Sequence, residues 1–145
     1  ISEAVAARSL SALKDERMLV SYHLSSPGTR FDGDKEAFVN DLEDAVYASK
    51  IVSYAQGYML MRAAAEAYDW NLNYGGLALM WRGGCIIRSV FLNNIKDAYD
   101  RDPNLVNLLV DPYFQDAIET AQAAWREVIA KELDMGMDVC STVVL

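Results

Sequence analysis

Few side chains in this sequence have the type and spacing that chemistry requires. A nucleophilic Ser or Cys needs a base and an orienting acid beside it, and His23 is the sole histidine. It stands alone near the 25–28 stretch, where a solvated helix end suits it better than a general base. Cys85 lies among Gly84, Ile86 and Ile87, so a buried, inert thiol is expected there. Cys85 and Cys140 form no Cys-x-x-Cys pair, which indicates neither a zinc site nor a disulfide framework and fits a reducing, cytosolic setting. The carboxylates Asp41, Glu43 and Asp44, and again Asp97, Asp100 and Asp102, read as solvated helix faces and ends before they read as acid–base or metal clusters. Gly75 with Gly76, and Gly83 with Gly84, match neither GxGxxG nor the P-loop pattern, and neither pair follows an expected strand. No dinucleotide-binding loop is expected.

The cations remain. Arg8, Arg62, Arg82 and Arg88 lie in or beside apolar stretches, where an unpaired charge is costly. For Arg62, Arg82 and Arg88, internal carboxylates, helix carbonyls or a subunit interface are favoured over substrate. Arg8 differs, because its neighbours Ala6, Ala7 and Ser9 are small and leave a guanidinium accessible to an anion.

The elements that position these residues read as helices. With 145 residues, 52% of them hydrophobic, the chain is long enough for one core and short for two, so one unit is expected. The net charge of −8 argues against a nucleic-acid binder, and no apolar run approaches the roughly 20 residues that cross a bilayer. Residues 2 to 23 contain no Pro or Gly and place Ala6, Leu10 and Leu13 on one face, which predicts one helix with Ser2 as a cap. Ser25 to Gly28 break it. Asp34 then caps a long helix to near Tyr68, apolar or small nearly all round from Ile51, as in a helix that runs through a core. Residues 70–73 form a turn, Leu77 to Trp81 resume a helical pattern, and the glycine pairs suggest closely crossing helices in preference to a ligand loop. Ile86, Ile87, Val90, Phe91, Ile95 and Ala98 predict a helix stopped by Asp102-Pro103. Asp111 and Pro112 cap another, carrying Phe114, Ile118, Ala121, Trp125 and Ile129 and ended by Gly136. No stretch alternates as a strand, so the fold class is all-α with one long central core helix.

The string LNYGGLALMWRGGCIIRSVFL, together with SYAQG, the opening ISEAVAARSLSALKDER and the later NLLVDPYF, resembles the 6-phosphogluconate dehydrogenase family. The resemblance covers nearly all of residues 1–145, except that LDMGMDVCSTVVL departs from the family's Gly-Ile-Pro pattern. It implies part of that family's C-terminal helical domain, cut at both ends, with the Rossmann NADP domain and the tail outside the chain. The implied reaction is NADP-dependent oxidative decarboxylation of 6-phosphogluconate to ribulose 5-phosphate, without a metal. Arg8 falls at the family's substrate-phosphate arginine. The lysine base, the glutamate acid and a second phosphate-holding lysine would precede Ile1, and a substrate-binding arginine and histidine would follow Leu145. The resemblance also implies a cytoplasmic homodimer formed through the helical domain, and it predicts negligible activity for the chain alone.

Two other readings stay open: a stand-alone, non-catalytic helical dimerisation module derived from that enzyme, and another member of the wider 3-hydroxyacid dehydrogenase group. The MWRGGCIIR string weighs against the last.

Overall fold

Asp34 starts the longest element. Its Oδ1 accepts from the backbone N–H of Glu36 at 2.9 Å and of Ala37 at 3.2 Å, satisfying donors that every helix N-terminus leaves without partners. The computed structural model describes residues 2–25 and 30–136. Its helices are α1 (Ser2–Ala12), α2 (Lys14–His23), α3 (Lys35–Tyr68), α4 (Tyr74–Arg82), α5 (Leu92–Arg101) and α6 (Pro112–Asp134), with a 3-10 turn at Leu108–Val110. No strand occurs among the described residues, and the fold is all-α as expected. Pro27, Gly28, Cys140 and the departing last stretch after Gly136 lie outside those residues.

Where composition leads to one unit, the contacts divide the chain into two: residues 1–50 with 121–145, and residues 51–120. In the first, α3 buries Ala45 and Ala48, and α6 buries Ala121, Trp125 and Val128. Phe31 and Phe38 pair at 4.7 Å between centroids, and the Lys131 ammonium stands over both rings while bonding to Glu127 at 3.1 Å. In the second unit α3 buries Ile51, Val52, Ala55 and Tyr58, α5 buries Leu92, Ile95, Ala98 and Tyr99, and α6 adds Phe114. The rings of Tyr58, Tyr74 and Tyr99 form a three-membered cluster, Tyr99 stacking on Tyr58 at 5.3 Å and on Tyr74 at 5.1 Å with Tyr58 and Tyr74 6.2 Å apart, and Trp81 meets Tyr58 edge-on at 5.5 Å.

Four expectations change. The predicted helix over residues 2–23 is two helices, because the backbone leaves helical geometry at Leu13 (φ −82°, ψ 51°). α3 is not covered all round: Met59 and Leu60 are exposed. Gly75 and Gly76 do not precede a helix but form the first turn of α4, capped by Asn73 Oδ1, which accepts from Gly76 N–H at 2.8 Å. The helix expected from Ile86 starts only at Leu92, since residues 83–91 are turns entered through Gly84 at φ +125°. Ile86 is wholly exposed and Val90 is 92% exposed, so of that apolar series only Phe91, Ile95 and Ala98 reach the core.

The other stops hold. Asp111 Oδ1 accepts from Tyr113 N–H at 3.1 Å at the start of α6, and Gly136, at φ +69°, donates to Leu133 O at 3.0 Å just past its end. α6 buries Val128 in full and leaves Ile129 only half-buried, a shift of one residue in the expected face.

Candidate substrate-phosphate site

α1 presents Arg8 to solvent. Among its residues whose side chains are described, Ala7 is half-buried and the rest are exposed, so little bulk crowds the guanidinium. The Ser9 hydroxyl donates to Val5 O at 2.9 Å, turned back on its own helix. Val5, Arg8, Ser9, Ser11 and Ala12 line an open cleft of about 500 Å³ along this face. Among the described residues no acceptor meets the Arg8 guanidinium, which leaves its fork of N–H donors available to an anion. Beside the cleft, Arg17 Nη2 donates to Ser11 O at 3.1 Å. Arg17 belongs to the LKDER string, yet nothing in its spacing marks that contact, because it spans the break at Leu13.

Two of the other cations meet neutral acceptors. Arg62 Nη1 donates to Val106 O at 2.9 Å, and Arg82 Nη1 to Asn93 Oδ1. Arg82 and Arg88 line a second cleft, of about 360 Å³, with Ser89, Val90 and Asn93. His23 is exposed at the end of α2, the solvated helix end expected of it. Cys85 is half-buried, not buried, because the turn after Gly84 carries it to the edge of the unit. Burial first, and the nearby Cys85 second, push the Tyr54 hydroxyl above its ordinary range, and that hydroxyl donates to Ile87 O.

The carboxylates sort as surface and cap groups. Asp100 pairs with Lys96, and Asp102 Oδ1 accepts from Asn104 N–H at 2.9 Å. Glu43, Asp44 and Asp97 are exposed and Asp41 is half-buried. No group of three or more His, Cys, Asp or Glu among the described residues is placed to hold a metal. The glycine pairs lie in the first turn of α4 and in the turn after it, not between a strand and a helix.

A family model described as "6-phosphogluconate dehydrogenase, C-terminal domain" matches residues 1–143. The chain belongs to the 6-phosphogluconate dehydrogenase family. It is 57% identical over 142 residues to the decarboxylating 6-phosphogluconate dehydrogenase of Schizosaccharomyces pombe, covering 98% of this chain and 29% of that protein. The human enzyme of the same name is 56% identical over 147 residues, covering all of this chain and 30% of that one. Among solved structures, Plasmodium falciparum 6-phosphogluconate dehydrogenase superposes with a TM-score of 0.88 at 34% identity, over 96% of this chain and 30% of that chain. That protein is described in apo form, with its cofactor NADP+ and with its substrate 6-phosphogluconate. The chain thus spans about 30% of the length of the relatives it matches. The family match runs past Ala130 to residue 143, so the departing last stretch falls almost wholly within it.

Proposed function

We propose that this chain is the part of a decarboxylating 6-phosphogluconate dehydrogenase that grips the substrate's phosphate. The observation that carries the reading is Arg8, a guanidinium without a described partner over an open cleft, in a chain matched to the family's C-terminal domain. A planar guanidinium makes two parallel, charge-assisted hydrogen bonds to a phosphate, which suits it to orient the far end of a sugar acid. In the whole enzyme, NADP bound outside this chain accepts hydride from 6-phosphogluconate, and loss of carbon dioxide yields ribulose 5-phosphate in the pentose phosphate pathway. The enzyme works in the cytoplasm as a homodimer joined through its helical domain. The named relatives support the substrate and the NADP cofactor.

The test is Arg8→Ala in a full-length dehydrogenase carrying this chain. Loss of a charge-assisted contact to a dianion is expected to weaken substrate binding by about 2 kcal/mol or more, roughly 30-fold in KM. A KM for 6-phosphogluconate equal to that of the parent enzyme sinks the proposal.

A further inference from the structure

We propose that Arg17 is a positioning residue for Arg8, holding the elbow between α1 and α2 and so fixing where the Arg8 cleft points. The inference rests on the phosphate-binding reading of Arg8. In an unbroken helix over residues 2–23, Ser11 O would accept from Asp15 N–H, four residues on. The break at Leu13 removes that donor: Leu13 N–H turns back to Leu10 O at 3.1 Å, and the helical pattern resumes only with Arg17 N–H on Leu13 O at 3.0 Å. Ser11 O becomes one of the orphan carbonyls that every helix C-terminus leaves. The Arg17 guanidinium reaches back across the elbow and donates to it at 3.1 Å, six residues away in sequence. A cation at the carboxyl end of α1 also complements the helix dipole.

This bond matters because it sits at the elbow beside the Arg8 cleft. α2 has no buried residue, and the described side chains of α1 are exposed apart from half-buried Ala7. Within these 145 residues the angle between the two helices therefore rests more on local bonds at the elbow than on buried side chains. Ser11 lies one turn beyond Arg8 and lines the same cleft. Releasing its carbonyl lets α1 swing on Leu13, spreading the guanidinium over more directions and lowering the share of molecules in which it meets the phosphate squarely.

The experiment is a double-mutant cycle in a full-length dehydrogenase carrying this chain, reading KM for 6-phosphogluconate, KM for NADP and kcat. Arg17→Met keeps the apolar stem and removes the donor. It is expected to raise the 6-phosphogluconate KM about tenfold, with kcat and the NADP KM within about twofold of the parent. Arg17→Lys, which still offers an ammonium to one carbonyl, is expected to recover most of that loss. In the Arg8→Ala background, Arg17→Met should change KM by less than about twofold, since a residue that acts through Arg8 has nothing left to aim. The same factor in both backgrounds overturns the proposal, and so does an unchanged KM in Arg17→Met. If Arg17→Met gives no folded enzyme, Arg17→Lys decides: KM raised as far as in Arg8→Ala counts against the elbow, and KM near the parent value supports it. An Arg8→Ala enzyme with unchanged KM sinks the phosphate reading itself, whereas a raised KM there beside an unchanged KM in Arg17→Met sinks the elbow alone.

Discussion

Asp111 does two jobs with its two oxygens. Oδ1 caps α6 through Tyr113 N–H, and Oδ2 takes Arg101 Nη2 at 2.6 Å, with the carboxylate 3% exposed and the arginine about half exposed. Desolvation makes the carboxylate costly alone, so the cap and the ion pair stabilise the fold mainly by preventing a buried, unmatched charge. Asp111→Ala is expected to lower stability by about 2–4 kcal/mol, and Asp111→Asn, which keeps the cap acceptor, by about half as much. Denaturant midpoints for the two variants check this, and equal losses would mean that the cap contributes nothing. Tyr99 gives a pH signature. Burial first, then the neighbouring Tyr74, push its phenol from 10.0 up to about 12, with Arg62 pulling the opposite way. Below pH 10 the folded and unfolded chains both hold the proton. Between pH 10 and about 12 the unfolded chain releases it while the fold retains it, so stability falls as pH rises through that window. Tyr58 is raised for the same first reason. Tyr99→Phe is therefore expected to make the alkaline loss shallower without abolishing it, and an identical decline in a pH series of unfolding midpoints would refute the assignment. The cap role of Asp111 was legible from Asp followed by Pro ahead of an apolar pattern. Its pairing with Arg101 was not, because ten residues and a 3-10 turn intervene and nothing local in the sequence fixes which cation returns.

At the scale of elements, the two glycine pairs look alike in sequence and differ in what they do. A Cβ on Gly75 would lie 3.6 Å from Lys96 O and Asp100 Oδ1, ordinary contact between α4 and α5, whereas Gly84 stands in open space at φ +125°. Contact between helices thus describes Gly75, and backbone conformation Gly84. Gly75→Ala is expected to be neutral or stabilising by up to about 1 kcal/mol from helix propensity, and Gly84→Ala to destabilise by about 1–2 kcal/mol despite its room. Thermal melts that ranked the two variants in the reverse order would show the distinction to be wrong. The same contrast explains what could be read in advance. α3 and α6 were legible because each begins with a side-chain cap and α6 ends at a glycine, chemical signals local to the boundary. The break at Leu13 carries no Pro, Gly or cap, and its neighbours keep helical spacing, so periodicity ran straight through it. The segment 83–91 failed for another reason. Ile86, Val90 and Phe91 keep helical spacing, but periodicity reports which residues are apolar and not what covers them, and Ile86 and Val90 face solvent. Arg8 is the opposite case: its accessibility followed from small neighbours, while its role came only from the motif around it.

For the whole molecule, two features of the chain set opposing expectations about association. Its net charge of −8 makes two copies repel, an effect that salt screens over about 8–10 Å at ordinary ionic strength. Against that, Ile86 and Val90 expose large apolar side chains in one short segment, and covering each would contribute about 1.5–3 kcal/mol. If the helical domain joins two copies through such residues, residues 1–145 expressed alone should associate, and more tightly as salt rises, because repulsion is screened while apolar burial is not weakened. Sedimentation at low and high ionic strength reads this directly. Ile86→Asp with Val90→Asp should shift the equilibrium toward monomer at both salts, by about tenfold or more in Kd if either side chain is covered. A clean monomer at every concentration and salt would remove this segment from the proposed interface. The same sample tests the catalytic side of the argument. If Arg8 binds phosphate as proposed, and the base, the acid and the NADP fold lie outside this chain, the chain supplies only part of the binding and none of the chemistry. No turnover of 6-phosphogluconate with NADP is expected from it at any oligomeric state, and measurable turnover would mean that acid–base groups within these 145 residues do more than cap helices.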